Sequence, residues 1–201
     1  MNIVHSQMQE HYQQNVGSYE AHVTKGFTTL RPSNYSIPVG EEPRDFRIPV
    51  EQKLMIRGML FGGFTKCLYP AQRFHTDTER RFAVILENDF DVVKWFKPGK
   101  DAFHIYYAGG TPYEPDFAVE TKAAKLICET KMRKEIATGE VQEKAKAAVE
   151  WCEHATKHEI AVGGKPWSYL LIPHDAVDEA KTFQGLAAAF TLRPEKVALK
   201  V

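Results

Sequence analysis

Two short runs of alternating polarity, Phe117 to Glu120 and Leu126 to Lys131, lie only a few polar residues apart. Runs that close pair as an antiparallel hairpin, and the pairing decides which side chains share a face. With Thr121 opposite Ala124, Asp116 lies opposite Glu129, Phe117 opposite Cys128 and Val119 opposite Leu126. One face is then Phe117, Val119, Leu126 and Cys128, all apolar. The other carries Asp116, Glu129 and Lys131 together. A four-residue turn leaves the same faces. A slip of one residue would mix the acids with the apolar groups, which a sheet with one buried face disfavours.

Other elements follow around this hairpin. Thr76-Asp77-Thr78-Glu79 fits a capping box, and Phe82, Ile85 and Leu86 form the apolar stripe of a helix from Thr76 to Asn88. Val92 to Phe96 and Phe103 to Tyr107 read as strands separated by a turn at Pro98-Gly99. Gly139 starts a long helix with apolar positions Val141, Ala145, Ala148, Cys152 and Ala155. Trp167 to Ile172 is a continuous apolar run suited to a buried strand, and residues 175–190 suit a last amphipathic helix. This order predicts an α/β fold, a mixed sheet flanked by helices. Ahead of it, residues 5–19 are polar and compatible with a surface helix. Pro32, Pro38, Pro43 and Pro49 keep the next stretch extended. The expected division is a helical and extended segment over residues 1–51 and one domain over 52–201.

Lys plus Arg (26) equals Asp plus Glu (26). A zero net charge excludes a polybasic nucleic-acid coat but leaves room for a local basic groove. Three dispersed cysteines, Cys67, Cys128 and Cys152, argue against a disulfide framework and for a reducing, cytoplasmic setting. Apolar runs are too short to span a bilayer, and no signal peptide follows Met1, so no membrane partner is expected.

Two carboxylates and an ammonium at a sheet end suit phosphodiester hydrolysis. Carboxylate oxygens hold hard divalent cations, Mg2+ most naturally, with Mn2+ as a substitute. Such an ion acidifies a water and offsets charge on the phosphorane, while a lysine orients or deprotonates the water or neutralises charge. The spacing alone equally suits an exposed hairpin with Glu129 and Lys131 as solvated neighbours. The gathering of three charged groups opposite a clean apolar face favours a use for them. Glu79 has two compatible roles: N3 of the capping box, and a carboxylate aimed at the sheet as an outer metal ligand, since Glu79, Phe82 and Leu86 share the core-facing stripe. Arg133, Lys134, Lys144 and Lys146 form, with Lys131, a phosphate track or a solvated face, and Gln142 borders it. His154 and His158 have metal-capable spacing but read as a surface pair. His75, His104 and His174 read as structural. Lys165 precedes Pro166 rather than Ser or Thr, so there is no nucleotide-binding loop and no ATP site.

The segments Glu79-Arg80-Arg81-Phe82-Ala83, Val93-Lys94-Trp95-Phe96-Lys97-Pro98, Tyr113 to Thr121 and Glu129-Thr130-Lys131 resemble the C-terminal nuclease region of the endonuclease (Res) subunit of type III restriction-modification systems. Lys144 to Cys152 and Trp167 to His174 extend the resemblance, which covers roughly residues 50–190. It implies a PD-(D/E)XK, restriction-endonuclease-like core and Mg2+-dependent cleavage of double-stranded DNA. Asp116 and Glu129 would be the carboxylate ligands, the Thr130 carbonyl a backbone ligand, Lys131 the catalytic lysine and Glu79 the acid from the first helix. Res subunits also carry a helicase motor and work with a methyltransferase subunit. This chain has no motor, so the resemblance implies an excised domain, a separately encoded nuclease or a relic. The reading from a different class is a catalytically silent module that docks a complex on DNA, and RNA or branched DNA are alternative substrates.

Overall fold

The computed structural model describes residues 12–15 and 18–21 as backbone, and residues 35, 37, 39–100 and 102–193 in full. Its centre is a five-stranded mixed sheet. In spatial order the strands are β12 (Thr191–Leu192), β11 (Trp167–Pro173), β10 (Lys125–Lys131), β9 (Phe117–Thr121) and β6 (Val92–Phe96). β9 and β10 pair antiparallel, with Phe117 opposite Cys128 and Val119 opposite Leu126. The register is the one the alternation predicts, and Thr121 N–H closes the turn on the Ala124 carbonyl at 2.8 Å. β11 runs parallel to β10, and the connection between them is the 23-residue helix α2 (Gly139–Ala161).

Period-two alternation sends the two halves of each strand to separate cores. Phe117, Val119, Leu126, Cys128, Leu170 and Ile172 face helix α1 (Asp77–Asn88), whose Phe82, Ile85 and Leu86 bury against them. Helix α3 (Phe183–Phe190) adds Phe183 and Leu186 to that layer. Ala118, Ile127, Tyr169 and Leu171 face the stripe Val141, Ala145, Ala148, Val149 and Cys152 of α2. β11 is therefore apolar on both faces because both are covered. Among the described residues, no helix is long and apolar enough to cross a membrane.

Three expectations are corrected. Residues 12–15 (β1) and 18–21 (β2) pair as an antiparallel hairpin where a surface helix was expected over 5–19. Residues 5–11, 16 and 17 of that stretch lie outside the described residues. The strand expected at 103–107 is β7 (Ile105–Tyr107), and it leaves the central sheet to pair with β8 (Thr111–Tyr113). The turn between them, Ala108-Gly109-Gly110, has positive φ throughout, which glycines make cheap. The last helix starts at Phe183, not 175. Thr182 Oγ1 accepts from Gly185 N–H, and Asp89 Oδ2 accepts from Phe183 and Gln184 N–H, so the first turn is capped there. Only a three-residue 3-10 turn, His174–Ala176, precedes it. In the N-terminal part, β3 (Arg44–Asp45), β4 (Phe61–Gly62) and β5 (Ala71–Gln72) form a small sheet. Phe46 and Val50, ahead of residue 52, lie in the α1-side core.

Candidate active site

The site lies where β9 begins and β10 ends. The last paired residues there are Phe117 and Cys128, and beyond them the strands part. Asp116 and Glu129 stand on that open end. Asp116 N–H donates to Glu129 Oε2 at 3.2 Å. Thr130 reaches back, its N–H and its hydroxyl both donating to Asp116 Oδ2, at 3.0 and 3.1 Å. The residue that continuing the register would place opposite Thr130 is Pro115. Proline has no N–H, so it ends the ladder and makes no claim on the Thr130 carbonyl. A strand residue points its N–H and carbonyl to the same edge, so that carbonyl faces the Asp116 side.

Glu129 is only 4% exposed and fully engaged. Lys131 Nζ lies 2.8 Å from its Oε1, and Tyr113 OH donates to its Oε2 at 3.1 Å. The Tyr169 hydroxyl, 3.4 Å from that of Tyr113, continues this chain under the sheet. Burial first, and then the negative charge of Asp116, push the Glu129 carboxyl up to about 7. A buried carboxylate whose charge a neighbouring carboxylate opposes marks a candidate functional site. Burial pulls the Lys131 ammonium down, but Glu129 outweighs it and the net shift is upward, so Lys131 is charged at neutral pH.

Glu79 joins from α1. Thr76 Oγ1 accepts from Glu79 N–H at 3.2 Å, as a capping residue should. The Glu79 side chain, however, accepts from His75 N–H at 3.0 Å and contacts Lys97 Nζ, also at 3.0 Å. Capping and a place at the site are thus compatible. His75 Nδ1 stands 3.8 Å from the other Glu79 oxygen.

Lys97 is the residue the sequence reading passed over. It lies just beyond β6 and is 8% exposed. Its ammonium contacts Glu79 and sits 3.8 Å from Asp116 Oδ1, with Phe117 ring 5.5 Å away. Burial pulls the Lys97 pKa down, but Asp116 and then Glu79 outweigh it, so the lysine is charged. The signal was present: Lys97 is in phase with buried Trp95, two residues back on the strand. A lysine on a core-facing position needs a carboxylate partner. Tyr113 was likewise missed, being three residues from Asp116 in a stretch with no clear period.

The basic candidates divide. Lys144 lies beside the site, its ammonium 5.3 Å from the Tyr107 ring and 6.0 Å from that of Tyr113, and pairs with Glu140 at 2.6 Å. Lys146 is exposed on the opposite flank of the buried stripe of α2, so the two do not form one track. Gln142 Nε2 donates to the Ile136 carbonyl. Arg133 pairs with Asp175 at 2.7 Å, and Lys134 is exposed.

The donor set suits a hard divalent ion: two carboxylates and a strand carbonyl, all oxygen. Among the described residues, no three of His, Cys, Asp and Glu are gathered as a ready ligand group. The third carboxylate, Glu79, is engaged by Lys97 instead.

Residues 65–161, just under half of the chain, match a family model described as an endonuclease domain. The matched span carries α1, β6 to β10 and α2, and with them Glu79, Lys97, Asp116, Glu129 and Lys131. No curated protein and no solved structure matches the chain. The mixed sheet with helices on both faces is consistent with a restriction-endonuclease-like fold, and the matched span is similar to an endonuclease domain.

Proposed function

We propose that the chain is a divalent-metal-dependent endonuclease acting on double-stranded DNA, the cleavage module of a type III-like restriction system. The observation that carries the proposal is the meeting of Asp116, Glu129 and Lys131 at the parted end of β9 and β10. There Pro115 withholds an N–H from the Thr130 carbonyl. Asp116 and Glu129, with that carbonyl, would hold Mg2+ or Mn2+. When bound, such an ion supplies Lewis acidity, making water a stronger nucleophile and offsetting charge on phosphate.

The side chains do the rest. Tyr113 and the Asp116 N–H fix the Glu129 carboxylate in one orientation. Thr130 fixes that of Asp116. Lys131, held charged by Glu129, serves as a cation that orients the attacking water and draws a non-bridging phosphate oxygen. Held in this state, it is a poor general base, which favours the orienting role over deprotonation. Lys144, beside Tyr113, offers a contact to a flanking phosphate. A neutral chain binds DNA weakly, so helicase and methyltransferase components of the system would supply targeting.

The test is nicking of supercoiled plasmid with Mg2+ or Mn2+. Cleavage by the wild type that is lost in Asp116→Ala supports the proposal. Equal plasmid profiles for the two, at high protein and with either ion, contradict it.

A further inference from the structure

Lys97 gives the pocket a charge balance of its own. With every carboxylate ionised, as ion binding requires, Glu79, Asp116 and Glu129 bring three negative charges, and Lys97 and Lys131 bring two positive ones, leaving one negative charge. A single divalent ion together with one phosphodiester brings that total to zero. Two divalent ions would leave an excess of two positive charges in a pocket whose groups are mostly buried.

The geometry agrees with the count. Glu79 and Asp116 are the pair that would flank a second ion, and the position between them belongs to the Lys97 ammonium, 3.0 Å from one and 3.8 Å from the other. This ammonium is held from outside the pair as well. Trp95, two residues before it, is pinned through its indole N–H to Glu87 at 2.8 Å, and its backbone is bridged to Lys66 and Leu68. The Phe117 ring stands beside the ammonium. Lys97 is thus a built part of the pocket.

We propose that Lys97 takes the place of a second metal ion, so that the site works with one divalent ion per chain. This rests on the reading of Asp116 and Glu129 as metal ligands. Lys97 would offset one of the two charges that Glu79 and Asp116 carry, leaving Glu129, Asp116 and the Thr130 carbonyl to the single ion. Removing the ammonium should leave Glu79 and Asp116 as two unneutralised carboxylates, a set that recruits a second hard cation.

The experiment counts Mn2+ bound per folded chain by electron paramagnetic resonance, in wild type, Lys97→Met and Lys97→Met/Glu79→Gln. Methionine keeps the length and apolar stem of lysine, and circular dichroism checks the fold. The expected counts are one, two and one, with spin coupling between the two ions only in Lys97→Met. Two ions in the wild type overturn the proposal whatever the variants do. A count of one or none in folded Lys97→Met overturns it too, while leaving Asp116 and Glu129 as ligands for the wild-type ion. No Mn2+ bound by the wild type overturns the metal reading itself, and this inference with it.

Discussion

At the scale of single residues, Glu129 decides how the site responds to pH. Its carboxyl titrates near 7 in the fold, against 4.5 as its ordinary value, because burial and Asp116 oppose its charge. The unfolded chain therefore gives up this proton earlier than the folded chain does. Stability from this group is complete below pH 4.5 and is lost as pH rises through about 7. The ion-free protein should lose more stability between pH 5 and 8 than Glu129→Gln does, read as thermal midpoints across that range. Equal slopes would remove the account of Glu129. Binding of Mn2+ must displace the same proton, so affinity should rise about tenfold per pH unit below 7 and level off above it. Tyr113 supports the ionised form by donating to Oε2. Tyr113→Phe should weaken Mn2+ binding by roughly tenfold while the fold survives, measured by calorimetry. The acids and Lys131 were legible because charge alternated with apolar residues on two adjacent strands. Lys97 showed only as a lysine in phase with Trp95, and its partners, like that of Tyr113, are brought near only by the folded chain.

At the scale of elements, the hairpin and helix α1 were legible for the same reason: each has a strong local period and a defined end. The β9–β10 register held residue for residue because Phe117, Val119, Leu126 and Cys128 pack in the core under α1 and a slip would turn the acids into that core. β8 was not legible, since three residues including Pro112 carry too little pattern to mark a strand. The start of α3 was hidden because half of its cap comes from Asp89, far back in the chain. Glu87 plays a comparable role for β6. Its carboxylate accepts from the N–H groups of Thr65, Lys66 and Cys67, from the Thr65 hydroxyl and from the Trp95 indole. Burial pushes this carboxyl up, but those donors outweigh burial and its pKa is lowered. Its contribution is therefore present above pH 4.5 and lost as pH falls. Glu87→Ala leaves several donors without an acceptor and should cost about 3 kcal/mol or more in urea unfolding. A change under ~0.5 kcal/mol would show that water takes over the role of Glu87. Because β6 leads into Lys97, the same variant should also disturb the pocket.

At the scale of the whole molecule, Lys plus Arg equals Asp plus Glu, so the chain carries no net positive charge to draw it to DNA. Its layers place α1 on one face and α2 on the other, and the charged cluster lies at the end of the sheet between them. Glu79 reaches it from the first layer, Lys144 from the second, and Asp116 and Glu129 from the sheet itself. That convergence is a tertiary fact. The sequence showed the carboxylates and Lys131 on one face, and only the fold shows Lys97 seated against them. The account stands on Asp116 and Glu129 sharing a divalent ion. The most direct measurement is anomalous scattering from a crystal soaked in Mn2+. The account predicts one peak about 2.0–2.2 Å from an oxygen of Asp116, an oxygen of Glu129 and the Thr130 carbonyl. A soaked crystal with no peak there, or with manganese only at surface carboxylates elsewhere, would contradict it.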